Sequence, residues 1–451
     1  MSATALEQCL QKMRDADISQ AAIDNFRHYW QLCADGATGL IREDTITPLL
    51  DPPQLAEVEI SDADQRDALS KTVIIKLNGG LGTSMGLDRA KTLLTVRDGK
   101  NFLDLIVGQV KYAREHFGVR LPLIFMNSFR TRDDTLAHLA THPDIAVDGL
   151  PLDFLQNAEP KILASDLSPV SWPADPSLEW CPPGHGDLYP ALWGTGLLDA
   201  LVEAGFRYAS VANGDNLGAA PDARLAGWFA ASGAPYAAEV CPRTINDRKG
   251  GHLAIRRADG QLILRDTAQT ASEEMGYFTD EHRHPYFHAN NLWLDLVQLR
   301  DILAERKGVL GLPLIRNEKT VDPADPTSPK VLQLESAMGA AIEVFHGAMA
   351  IAVGRDRFLP VKTTNELLLL RSDVFDLGVD GRLVSQVERI PEIDLDSHYK
   401  LVDDFDELVQ VVPSLRNAES LRVAGEWHFD APSSVVGQVQ LDDPGTPATY
   451  R

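Results

Sequence analysis

The chain has 451 residues, 44% of them hydrophobic and 24% charged, a balance that supports a full-sized core spread over two or three domains. A formal net charge of −23 excludes a protein that depends on a basic face to hold nucleic acid or an anionic membrane, so any anionic ligand must meet local positive charge. The four cysteines, Cys9, Cys33, Cys181 and Cys241, are too far apart for a paired zinc motif or a disulfide scaffold, and no stretch approaches the ~20 apolar residues of a membrane span. Reduced thiols in a soluble, cytoplasmic protein are therefore expected, and the opening MSATALEQCLQKMRDAD, with no basic start before an apolar block, carries no export signal.

Leu6, Leu10 and Met13, then Ile23, Phe26, Trp30 and Cys33, recur at helical spacing up to Gly36 and predict two amphipathic helices in an N-terminal arm, residues 1–70. From residue 71 the pattern changes. The short apolar runs VIIKL, PLIFMN and YASVAN read as strands, separated by the helical stretches FLDLIVGQVKYAREHFG and ALWGTGLLDALVEAG. Strand alternating with helix predicts an α/β domain over residues 71–378, a mostly parallel sheet with helices on both faces, whose ligands gather at the carboxyl ends of the strands. The region from 379 to 451 changes again, to short β-like runs punctuated by Gly, Asp and Pro, as in SLRVAGEWHFDAPSSVVGQVQL. It reads as a small β-rich, β-helix-like domain that caps the core or associates copies of the chain.

The segment VIIKLNGGLGTSMGLDRAK carries the densest chemical signal. It contains GxSxG, but Ser84 lies seven residues beyond Leu77 with glycines between, whereas a nucleophile elbow sets its serine at the sharp end of the strand. A dinucleotide fingerprint on Gly80 and Gly82 would need glycine where Met85 stands, and a Walker loop would need lysine where Leu87 follows Gly86. What remains is a strand followed by a loop small enough for backbone N–H groups to approach an anion, with Lys91 beyond it as a point charge. Three other segments present polar groups in similar positions. WCPPGHGDLYP holds His185 in a rigid turn, VANGDN puts Asp215 just past a strand, where a carboxylate can hold a divalent cation, and FLPVKTT sets Lys362 in an apolar setting.

Taken in order, LNGGLGTSMG with its later lysine, FMNSF, PPGHGD, NGDNLGA, KGG, NNLW, QLESAMGAAI and RFLPVKTT closely resemble the eukaryotic-type UTP–glucose-1-phosphate uridylyltransferases, from about residue 70 to 375. The resemblance implies a nucleotidyltransferase-type, Rossmann-like fold. It implies a reversible reaction in which glucose 1-phosphate attacks the α-phosphorus of UTP, giving UDP-glucose and pyrophosphate with Mg²⁺ present. By the same resemblance the loop Leu77, Asn78, Gly79 and Gly80 holds the nucleotide, Gln156 and Gly184 face the uracil, and Lys91 and Lys362 act on the phosphates as catalytic cations. Asn213 and Asp215 contact the nucleotide, with Asp215 the metal ligand. His185, Asn213, Asn290, Lys249 and Glu335 fall to the sugar phosphate.

The chemistry suits these residue types. A phosphate monoester, with a second pKa of ~6, is already an anionic nucleophile at neutral pH, so the difficulty is electrostatic and no general base is required. The site needs cations and fixed N–H donors. Alternatives are a UDP-sugar or UDP-N-acetylhexosamine pyrophosphorylase acting on another sugar, a serine hydrolase using Ser84, and a zinc protein built on His282, His284 and His288 of HRHPYFH.

Overall fold

The computed structural model describes residues 2–244, 247 and 250–451. Its centre is a seven-stranded sheet. In chain order the strands are β1 (Thr72–Asn78), β2 (Leu123–Asn127), β3 (Asp153–Leu155), β4 (Tyr208–Asn213), β5 (Tyr236–Pro242), β6 (Tyr286–Asp295) and β7 (Met349–Ala352). Across the sheet they lie in the order β7, β5, β6, β4, β1, β2, β3, and every neighbouring pair is parallel except the two that β6 makes.

Alternation along the strands divides two cores. In β1, Val73 and Ile75 enter one and Ile74 the other, and in β2, Ile124 and Met126 oppose Leu123 and Phe125 in the same way. Both faces are covered, which is why these strands read as unbroken apolar runs. One face is covered by α1 (Ser2–Asp15) and α2 (Gln20–Ala34), through Cys9, Leu10, Met13, Ile23, Phe26, Trp30 and Cys33. The N-terminal arm thus completes the core, and the Trp30 indole N–H fixes it further by donating to the Leu167 carbonyl at 3.0 Å. The arm also holds α3 (Asp62–Ser70), which leads into β1.

The other face carries α4 (Phe102–Phe117), whose start is fixed by a reciprocal Asn101–Asp104 capping box and whose end is turned by Gly118 at φ 65°. A shorter helix, α5 (Arg132–Leu139), follows β2. The stretch ALWGTGLLDALVEAG, expected as one helix, forms two, α6 (Leu188–Gly194) and α7 (Leu197–Glu203). Gly196, at φ 73°, is left-handed and breaks the run.

Near the C-terminus β8 (Glu392–Leu395), β9 (Ser414–Val423) and β10 (Ser434–Leu441) form a small all-parallel sheet. Leu415, Leu421, Val423 and Val435 join the same core as Leu367, Leu368 and Phe405, so this layer caps one face of the molecule. Among the described residues no helix is long and apolar enough to cross a membrane.

Candidate active site

Strand β1 is followed by β2 and β3 on one side, while β4 lies against its other edge, with Asn213 directly opposite Leu77. The carboxyl ends of β1 and β4 therefore flank the point where the strand order reverses, and a crevice opens there.

The crevice has two halves. One is lined by Leu77, Asn78, Gly79, Gly80, Lys91 and Gln156, with Gly184 closing it. Among the described residues the backbone N–H groups of Gly79 and Gly80, which line the crevice, donate to no acceptor, so the loop keeps unpaired donors at this end. The Asn78 side chain cannot serve a ligand. Its amide donates to Asn127 and Thr135 at 2.8 Å each, and its carbonyl accepts from Thr92 at 2.7 Å, which pins the loop to the sheet. A Cβ on Gly79 would stand 2.6 Å from Gln156 Oε1 and would push that side chain aside. Its absence lets the Gln156 amide lie over the loop. Gly184, at φ 78°, has the Ser336 carbonyl 2.6 Å from where its Cβ would be.

His185, Asn213 and Asp215 line both halves and mark their junction. His185 Nδ1 accepts the Met338 backbone N–H at 2.9 Å, so the proton sits on Nε2 and the ring is a neutral donor. Desolvation by the surrounding walls lowers its pKa, consistent with that form. Asp215 Oδ2 accepts from the Lys91 ammonium at 2.7 Å, while Oδ1 has no partner among the described residues. One free carboxylate oxygen beside a phosphate cradle suits Mg²⁺, which commonly takes one or two carboxylates and completes its shell with water and substrate phosphate.

The second half is lined by Gly250, Gly251, Asp266, His288, Asn290 and Lys362. Asn290 sits at φ 59° inside β6, a conformation unusual outside glycine, and its N–H donates to His288 Nδ1 at 3.1 Å. Burial pushes the His288 pKa down to about 3, so this ring too is neutral. Lys362 is exposed at the rim, and no carboxylate pairs with its ammonium among the described residues. Its backbone N–H helps form the Thr363–Glu366 cap of the next helix, which fixes where the side chain starts.

The crevice thus brings together twelve of the residues expected from the sequence. Glu335 lines neither half, although its Cβ lies 3.0 Å from where a Gly184 Cβ would be. Lys249 lies outside the described residues. Lys362 lines only the second half, away from the loop with which sequence grouped it. Ser84 is exposed in a 3₁₀ turn between the left-handed Gly82 and Gly86, and no histidine bonds it among the described residues, which removes the hydrolase reading. The three histidines of HRHPYFH part company. His282 is exposed, His284 is buried against Glu43 and His288 faces the crevice, so they form no zinc site.

Sequence reading missed the buried ions behind the site. Arg357 grips Glu239 with two parallel bonds, Nε to Oε2 at 3.0 Å and Nη2 to Oε1 at 2.7 Å. Asn291 and Trp293 also donate to Glu239, and the Arg357 carbonyl accepts from Asn216 and Asn291. Lys76, its pKa pulled by burial to about 7, donates to the Ala219 carbonyl at 2.7 Å. These contacts tie the Asp215 loop to the segment leading to Lys362. The available signal was a charge inside an apolar strand, the lysine of VIIKL and the glutamate of AAEVC. Asp187 was also missed. Burial raises its pKa to about 7, and it accepts from the Asn157 backbone N–H and, at 2.8 Å, from the Asn157 amide, next to Gln156.

A sequence profile described as UTP–glucose-1-phosphate uridylyltransferase matches residues 23–435. The chain belongs to that family. Among curated relatives, the uridylyltransferase of Solanum tuberosum is 37% identical over 393 residues, covering 86% of this chain and 80% of its own. That of Saccharomyces cerevisiae is 38% identical over 381 residues, covering 83% and 74%. Among solved structures, the UDP-glucose pyrophosphorylase of Leishmania major superposes with a TM-score of 0.92 at 43% identity, covering 99% of this chain and 97% of that one. The Trypanosoma brucei protein gives 0.90 at 41%, covering 99% and 97%. A uridylyltransferase brings UTP and glucose 1-phosphate together, and the crevice offers two adjoining halves joined at His185, Asn213 and Asp215.

Proposed function

We propose that this protein transfers uridylyl from UTP to glucose 1-phosphate, reversibly, by direct attack of the sugar phosphate on the α-phosphorus. The observation that carries the reading is the loop after β1, where Gly79 and Gly80, with N–H groups unpaired among the described residues, line one half of a two-part crevice together with Lys91 and Asp215. In this reading Gly79 and Gly80 hold the nucleotide phosphates, Gln156 and Gly184 take the uracil, and Asn213, His185 and Asn290 hold the sugar phosphate. Lys91 and Lys362 offset charge at the reacting centre from opposite halves. Asp215 would hold Mg²⁺, which supplies positive charge for the departing pyrophosphate. All four cysteines are buried and unpaired, which fits a reducing cytoplasm. The test is pyrophosphate release from UTP with Mg²⁺ and a panel of sugar 1-phosphates. Glucose 1-phosphate should lead, and a stronger response to an N-acetylhexosamine 1-phosphate would move the assignment to another sugar.

Two further outcomes are expected. Asp215→Asn keeps the size and removes one negative charge, so activity should demand more Mg²⁺ while the melting temperature barely moves. An unchanged Mg²⁺ titration would contradict a metal role. Gln156 offers one acceptor and one donor side by side, matching uracil's N3–H and an adjacent carbonyl, whereas cytosine reverses that order. Gln156→Ala should cost ~1–3 kcal/mol in kcat/KM for UTP and narrow the preference for UTP over CTP. An unchanged ratio would mean that the base is read elsewhere.

A further inference from the structure

Away from the crevice, the two histidines of the segment AHLATHP meet the start of α4. His138, in the last turn of α5, and His142, in the turn that follows it, are four residues apart. Both Nε2 atoms approach a single oxygen, Asp104 Oδ1, at 2.8 and 3.0 Å. The three side chains are half-buried, each between 22 and 25% exposed. Among the described residues this is the one group of three such side chains whose ligand atoms lie within 4.8 Å of one another.

Two details distinguish it from an ordinary hydrogen-bonded cluster. Asp104 Oδ2 is already committed to the Asn101 backbone N–H in the capping box, so Oδ1 is left as a fixed, single-oxygen donor. His138 Nε2 also lies 3.2 Å from the Asn101 amide nitrogen, whose orientation the same box sets by engaging its oxygen. One ring nitrogen cannot both donate to Asp104 and accept from Asn101, so no proton assignment satisfies every contact. A cation would take the place of the ring protons, because the lone pairs of both rings and of Oδ1 can all turn to it. Ligand atoms 2.8 to 3.0 Å apart match neighbours meeting at about 90° on an ion with bonds of ~2.0–2.1 Å, and opening to the ~3.3 Å of a tetrahedral site takes a shift of a few tenths of an ångström.

We propose that Asp104, His138 and His142 form a binding site for a zinc-class divalent ion, distinct from the magnesium site of the reaction. Two imidazoles and one carboxylate suit Zn²⁺, Co²⁺ or Ni²⁺ over Mg²⁺, which prefers oxygen. The site clips the end of α5 to the start of α4. Thr131, which precedes α5, and Thr135, within it, hold Asn78 of the nucleotide loop, at 2.7 Å to its backbone carbonyl and 2.8 Å to its side-chain amide, so the ion would brace that loop from behind.

The test uses the full chain, stripped with a chelator and returned to buffer with excess Mg²⁺, then titrated with Co²⁺ and followed by its visible absorption, and with Zn²⁺ by calorimetry. The wild type should bind one ion per chain and gain thermal stability with Zn²⁺. His142→Ala, outside the helix and away from the core, should fold normally without metal and lose at least ~10-fold in affinity, as should Asp104→Asn, which keeps a capping oxygen. Failure of the wild type to bind Zn²⁺ in the presence of Mg²⁺, or binding unchanged in both variants, would overturn the proposal.

Discussion

Replacing Lys362 by alanine is expected to lower kcat by ~10² or more while leaving the fold intact. The side chain reaches the second half of the crevice from an exposed rim position, so its removal opens no cavity and orphans no partner among the described residues. Its value lies in the reaction, where two anions meet and a third departs. An ammonium placed where that charge develops acts mainly on the transition state, so kcat should fall more than KM for either substrate rises. Folding is checked independently by the melting temperature, which should stay at the wild-type value. A variant with near wild-type kcat would show that the charge is offset by other groups.

The largest effect on stability is expected from Glu239→Ala. It removes the partner of a guanidinium that is almost wholly enclosed: Arg357 is 2% exposed and Glu239 0%. Breaking such a pair from one side costs about 3–5 kcal/mol, because the remaining charge has no water to turn to. The Trp293 donor is orphaned at the same stroke, and Asn291 keeps only its bond to the Arg357 carbonyl. Denaturant unfolding should show the loss, and the double variant Glu239→Leu, Arg357→Met should recover part of it. If the single and double variants unfolded alike, the penalty would not come from the stranded charge. Activity should fall in both, since the same network joins the Asp215 loop to the segment bearing Lys362.

The strands of the main sheet were legible because β1, β2 and β4 are buried on both faces and leave unbroken apolar runs. The cleft residues were legible because small residues, turns and isolated lysines at strand ends mark where backbone must approach a ligand. The break at Gly196 was hidden, since the apolar period continues across it and only a left-handed backbone reveals the stop. Antiparallel β6 was hidden for a related reason: burial on both faces makes a strand look the same in either direction. Pairing between distant ions leaves no local pattern. Arg357 and Glu239 are 118 residues apart, as Asp104 and His142 are 38 apart, and only the fold brings them into contact.

The central claim is a single displacement by the sugar phosphate, with no uridylyl group carried on the protein. Among the described residues the crevice offers no activated nucleophile: the His185 Nδ1 lone pair is taken by Met338, and the four cysteines are buried elsewhere. The direct measurement is exchange of labelled pyrophosphate into UTP, with Mg²⁺, before and after glucose 1-phosphate is added. The account predicts no exchange without the sugar phosphate and ready exchange once it is present. Exchange in its absence would reveal a covalent uridylyl intermediate and contradict the account.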